Sequence, residues 1–155
     1  MPLLEVKNIV KSYNDRRVVD EVSFHVDKGE IVGLLGRNGA GKTTSFRMTI
    51  GMITPESGTV IFDGHDVTHQ PMFIHARRGM GYLSQEPSVF QRMTVEENLR
   101  AILETTGASK SDQVKQCAAL LKQFGLNHKR SDEARTCSGG ERRRLEIARS
   151  LVTKP

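Results

Sequence analysis

The sequence predicts an α/β fold: a mixed sheet with helices, carrying a helical insertion in its second half. Three observations predict it. An apolar run, Ile31-Val32-Gly33-Leu34-Leu35, reads as a buried strand, because it is apolar on both faces as in a parallel sheet covered by helices. Gly36-Arg37-Asn38-Gly39-Ala40-Gly41-Lys42-Thr43 follows it at once and fits the phosphate-loop pattern G-x-x-x-x-G-K-[ST] without a mismatch. From Thr94 onward the hydrophobic spacing turns from strand-like to helical.

The elements follow in order. Leu4–Ile9 alternates and reads as a strand. Val18-Val19 with Val22–Val26 reads as another, closed by the turn Asp27-Lys28-Gly29-Glu30. After the strand at 31–35 and the glycine loop, Lys42 to Ile50 reads as a helix ending near Gly51. Pro55-Glu56-Ser57-Gly58 is a turn, and Thr59–Phe62 a strand that ends at Asp63-Gly64. Gly79–Leu83 reads as a short buried strand leading into the loop Ser84-Gln85-Glu86-Pro87. Thr94-Val95-Glu96-Glu97 is a capping box that opens a helix to about Glu104. Ser111 to Phe124 places Val114, Cys117, Ala118, Leu121 and Phe124 on one stripe, with Gly125 as its stop. Ser138 opens a last helix to about Val152, with Leu145, Ala148 and Val152 on one face.

The chain of 155 residues is 37% hydrophobic and 26% charged, ordinary for a globular domain able to bury a core. Its net charge is +5, spread in short basic groups with few aromatics between them. A nucleotide-phosphate or anionic-membrane neighbourhood accounts for that charge as well as a nucleic-acid surface does, and no nucleic-acid partner is expected. Two cysteines, Cys117 and Cys137, make no disulfide framework and suit a reducing cytoplasm. The N-terminus lacks the pattern of a signal peptide, and no apolar run approaches membrane-spanning length. Work at a membrane would therefore need a partner that holds the protein there.

The glycine loop is the chemical centre of this reading. Glycines let backbone N–H groups turn inward, and the following helix adds partial positive charge. Lys42 would reach the β- and γ-phosphates of ATP, and the Thr43 hydroxyl would sit on Mg²⁺. Asp63, His65, Asp66 and His69 have no recognised metal-ligand spacing and read as a solvated loop.

Cys137-Ser138-Gly139-Gly140-Glu141-Arg142-Arg143-Arg144 resembles the signature L-S-G-G-Q-x-x-R of the ATP-binding-cassette (ABC) family. The resemblance covers essentially the whole chain, with motifs in family order. Cys137 stands in place of leucine and Glu141 in place of glutamine; the first bears on local packing. Ser138 and Glu141 also form a capping box in their own right. The resemblance implies a P-loop nucleoside triphosphate hydrolase core. ATP would be held by Tyr13, stacked on adenine, and by Gly36, Arg37, Asn38, Gly39, Ala40, Gly41, Lys42, Thr43 and Thr44. Ser138, Gly139, Gly140 and Glu141 would act in trans on the nucleotide of a second subunit. Gln85 matches the family's Q-loop glutamine, with Lys42 in the catalytic set and with Thr43 at Mg²⁺. Arg142 to Arg144 read as a helix face, with Arg144 matching the family arginine.

The same resemblance implies a division into 1–87, an ATP-binding core with an antiparallel β subdomain, 88–137, a helical subdomain, and 138–155, the signature helix leading back to the core. It also implies a fold incomplete at the C-terminus, since the Asp-Glu strand and later histidine of the family have no counterpart before Pro155. Negligible hydrolysis by these 155 residues alone is the expectation.

Within the family, Arg17-Val18-Val19, Gly33–Gly36, His75–Glu86 and Ser138–Arg149 look most like ATPase subunits of lipopolysaccharide export. That implies a homodimer, transmembrane permease subunits as partners, and a peripheral place on the cytoplasmic face of the inner membrane. An ATPase of a branched-chain amino-acid importer is the alternative within the family. A non-catalytic nucleotide-binding fragment is the alternative from another class.

Overall fold

Two long strands open the chain, β1 (Leu4–Tyr13) and β2 (Arg16–Val26). Asn14 and Asp15 join them with φ of 47° and 59°, both left-handed, as a two-residue hairpin turn of the primed kind requires. A bulge lies in β1 between Val6 and Ile9, where Asn8 has φ 48°. Because a strand's side chains alternate, this one-residue shift lets Val6 and Ile9, three positions apart, both face the core. The Asn8 amide donates to Ser23 Oγ at 2.8 Å and ties the bulge to β2.

β3 (Ser57–Phe62) pairs with the other edge of β1, and the short β4 (His65–Asp66) pairs with β3. The sheet order is β2-β1-β3-β4, and every neighbouring pair is antiparallel. α1 (Lys42–Thr49) sets the fully buried Met48 onto the sheet face formed by Val6, Ile9, Val19, Val60 and Phe62, and Val67, just past β4, completes the cluster. Each of these side chains contributes roughly 1.5–3 kcal/mol by leaving water. α2 (Met72–Arg77) buries His75, whose Nε2 donates to the Val67 carbonyl at 3.0 Å.

A computed structural model describes all of residues 1–155, and they form two units, Met1–Met80 and Gly81–Pro155. The second unit is helical. α3 (Val95–Leu103), α4 (Lys110–Gln123) and α5 (Gly139–Ser150) enclose a core of Val95, Leu99, Leu103, Cys117, Leu121, Leu126, Ala134, Cys137, Leu145, Ala148 and Val152. α3 opens with the expected capping box: Thr94 Oγ1 accepts from the Glu97 amide and the Glu97 carboxylate accepts from the Thr94 amide. α4 starts one residue earlier than its sequence suggests because Ser109 caps it, accepting from Asp112 N at 3.2 Å.

Three expectations need correction. Residues 31–35 form no strand, and Ile31 and Leu35 are 98% and 92% exposed. Residues 79–83 likewise form none. A strand exists only where another segment answers its N–H and C=O groups, and neither run has such a partner within residues 1–155. The observed sheet is thus antiparallel throughout rather than carrying a parallel strand before the glycine loop. On α4, Cys117 and Leu121 are buried as expected, whereas Val114 and Ala118 face solvent.

Candidate functional site

The first part of the site is the loop from Gly36 to Thr43. Its final turn is fixed by contact with the sheet. Gly41 has φ 82°, and a Cβ there would lie 2.3 Å from the Val18 carbonyl oxygen and 3.0 Å from Val19 Cγ2. Glycine is the only residue that both adopts this conformation and lets the loop press against β2. The contact seats the loop at Val18–Val19. The same end of the hairpin carries Tyr13, which pairs with Arg16 and keeps its ring about half exposed. Lys11 Nζ stands 5.9 Å from that ring.

α1 begins directly at Lys42. No side chain caps its first turn and no acidic residue lies in it. Its leading N–H groups therefore remain available to an anion, and the helix dipole is not offset by a carboxylate. Lys42 folds over the loop: its Nζ donates to the Gly36 carbonyl and, at 2.8 Å, to the Arg37 carbonyl. Both partners are neutral carbonyls, which phosphate oxygens could replace. Arg37, Asn38, Gly39 and Ala40 are exposed, as is Thr43; Thr44 is partly buried. The Thr43 hydroxyl suits Mg²⁺, which usually keeps one or two protein ligands and takes the rest from phosphates and water. No group of three or more His, Cys, Asp or Glu residues comes together in an arrangement that could hold a metal ion.

The second part lies in the helical unit. Ser138 caps α5, its Oγ accepting from Glu141 N at 3.2 Å, while Glu141 Oε2 accepts from Ser138 N at 2.8 Å. Glu141 Oε1 also accepts from His128 Nε2 at 3.2 Å. Bonds from the Ser138 amide and hydroxyl, then from His128, hold the Glu141 carboxyl down to a pKa of about 2. Gly139 and Gly140 face open space where any Cβ would sit, so their small size leaves room rather than filling a packing need. Cys137 settles into the core of this unit, where burial pushes its thiol pKa up. Its replacement of leucine is accommodated by that packing.

Gln85 lies in the irregular segment after residue 83, with its side chain exposed. An open cleft of about 310 Å³ brings it together with Pro87, Gly139, Arg142, Arg143 and Glu146. Two widely separated motifs, the glutamine and the signature glycines, thus share one surface within the second unit. Sequence reasoning treats the arginine run as a helix face and passes over Glu146. In the structure Arg143 Nη1 donates to the Ser84 carbonyl at 3.0 Å, and Glu146 is buried. The available signal was the i, i+3 spacing of Arg143 and Glu146, which marks an ion pair on a helix.

Residues 19–155 match the ABC transporter family. The lipopolysaccharide export system ATP-binding protein LptB of Haemophilus influenzae is 47% identical over the whole chain, which covers 65% of that protein. LptB of Escherichia coli K12 is 46% identical over the whole chain, again covering 65% of the relative. Among solved structures, the ADP conformation of MJ1267, an ATP-binding cassette of an ABC transporter, superimposes with a TM-score of 0.86 at 30% identity. That likeness covers all of this chain and 66% of that one.

Proposed function

This chain belongs to the ABC transporter family, and from that premise we propose that it is the ATP-binding part of a transporter ATPase that drives lipopolysaccharide export. The observation that carries the nucleotide reading is the Gly36–Thr43 loop, with its ammonium held over the ring and an uncapped, acid-free helix start beneath it. Similarity over the whole of this chain, and over 65% of each relative, to two LptB proteins of lipopolysaccharide export systems supports the choice of cargo.

In this reading the first-turn amides of α1 and the Lys42 ammonium bind the β- and γ-phosphates. The Thr43 hydroxyl would hold Mg²⁺, which would supply positive charge to the phosphate oxygens. Gln85 would serve as a further ligand to the metal and would orient the attacking water. Tyr13 offers a face for adenine. Ser138, Gly139, Gly140 and Glu141 present the start of α5 to the nucleotide of a second copy, making a homodimer with two ATP molecules at its interface. Transmembrane permease subunits would hold the pair on the cytoplasmic face of the inner membrane. No helix of the chain is long and apolar enough to cross a membrane itself.

Depletion of the protein in its host tests the cargo. Lipopolysaccharide should accumulate in the inner membrane, and expression of the wild-type gene but not of its Lys42→Ala variant should restore export. Unchanged lipopolysaccharide delivery together with lost uptake of branched-chain amino acids would overturn the assignment.

A further inference from the structure

Residues 81–91 form neither helix nor strand, so nothing regular fixes the backbone around Gln85. It is held instead from one face of α5, while the far end of the segment is tied to α3, where Asn98 Oδ1 accepts from the Phe90 amide at 2.8 Å and Asn98 Nδ2 donates to the Phe90 carbonyl at 2.9 Å. On one side of Gln85, the Ser84 carbonyl accepts from Arg143 Nη1 at 3.0 Å. On the other side, the Ser88 amide donates to Glu146 Oε1 at 3.0 Å. The two clamping groups are themselves joined, Arg143 Nη1 to Glu146 Oε2 at 3.0 Å. One helical turn further on, Arg149 donates to the Ser88 carbonyl and lies 4.4 Å from the Phe90 ring centroid. Arg143, Glu146 and Arg149 stand at i, i+3 and i+6, so one side of the helix grips residues 84–88, on both sides of Gln85.

Burying the Glu146 carboxylate carries a desolvation cost that an apolar side chain would avoid. What the pair does with that cost is hold backbone atoms on both sides of Gln85. We propose that Glu146, together with Arg143, is a positioning residue for Gln85, locking the glutamine loop to the helix that begins at the signature glycines. The proposal rests on the reading of Gln85 as the group that meets Mg²⁺ beside the nucleotide. Its consequence is specific: loosening the clamp disturbs the response to magnesium and leaves the grip of the glycine loop on phosphate intact.

The test compares the wild-type protein with Glu146→Ala, Glu146→Gln and Leu99→Ala, the last as a control that weakens the same core without touching the clamp. Hydrogen exchange reports the loop, and titration of Mg²⁺ into protein with a fluorescent ATP analogue reports the site. Glu146→Ala removes a charge-assisted bond, so exchange across 84–88 should rise about ten-fold and the magnesium midpoint about five-fold or more. Analogue affinity without magnesium should stay as in wild type. Glu146→Gln keeps an acceptor for the Ser88 amide and should fall between the two. Unchanged exchange at 84–88, or a magnesium midpoint in Glu146→Ala equal to that of Leu99→Ala, overturns the positioning role alone. A wild-type protein that binds no nucleotide overturns the functional reading and the proposal with it.

Discussion

Replacing Gly41 by alanine probes the seat of the glycine loop, and replacing Gly39 supplies the matched control. Both residues are left-handed, with φ of 82° and 81°. An L side chain in that region costs about 1–2 kcal/mol. The gain from stiffening the unfolded chain is about the same for both and cancels in the comparison. The surroundings differ. A methyl at Gly39 meets nothing within 4 Å, whereas one at Gly41 would lie 2.3 Å from the backbone oxygen of Val18. That atom belongs to β2 and cannot swing aside as a flexible side chain would. Forced displacement of this kind adds about 1–3 kcal/mol. Gly41→Ala should therefore destabilise the first unit by about 2–5 kcal/mol and Gly39→Ala by about 1–2 kcal/mol. Urea denaturation followed by circular dichroism, with hydrogen exchange of the β1 and β2 amides, measures both. Coincident unfolding midpoints for the two variants would refute the claim that the loop is seated by its contact with Val18.

Other consequences are open to direct measurement. Leu99→Ala empties a fully buried position in the helical core and should cost about 2–5 kcal/mol in urea unfolding. Thr94→Ala removes the cap of α3 and should cost about 1 kcal/mol, visible as faster exchange in the first turn. Glu141 has its carboxyl pKa lowered from 4.5 to about 2 in the folded chain. A depressed folded pKa means that its stabilisation is fully present above about pH 4.5 and fades as pH falls towards 2. The difference in unfolding midpoint between wild type and Glu141→Gln should shrink across that window, and a difference independent of pH would contradict the bonding described.

Local chemistry made much of this architecture readable in advance. The capping boxes at Thr94 and Ser138 and the lysine at the start of α1 each depend on neighbours within a few residues. The long-range contacts did not announce themselves. Ile31–Leu35 has the composition of a buried strand, yet composition cannot supply a pairing partner, and the run is left uncovered. The bulge at Asn8 broke the alternation of β1, so a strand of ten residues reads as six. Asn14-Asp15 is a hairpin signal that the sequence does carry. The clamp on Gln85 joins residues about sixty positions apart, and only folding shows that Arg143 and Glu146 are spent on backbone atoms. Tyr13 lies at the hairpin end against which the loop is seated, a placement that no local pattern announces.

Titration of Mg·ATP into the purified protein, beside its Lys42→Ala variant, bears most directly on the central claim. Saturable binding should appear in the wild type and weaken at least about ten-fold when the ammonium that spans Gly36 and Arg37 is removed. Equal binding by both proteins, or none by the wild type, would contradict the assignment of the Gly36–Thr43 loop as the phosphate site.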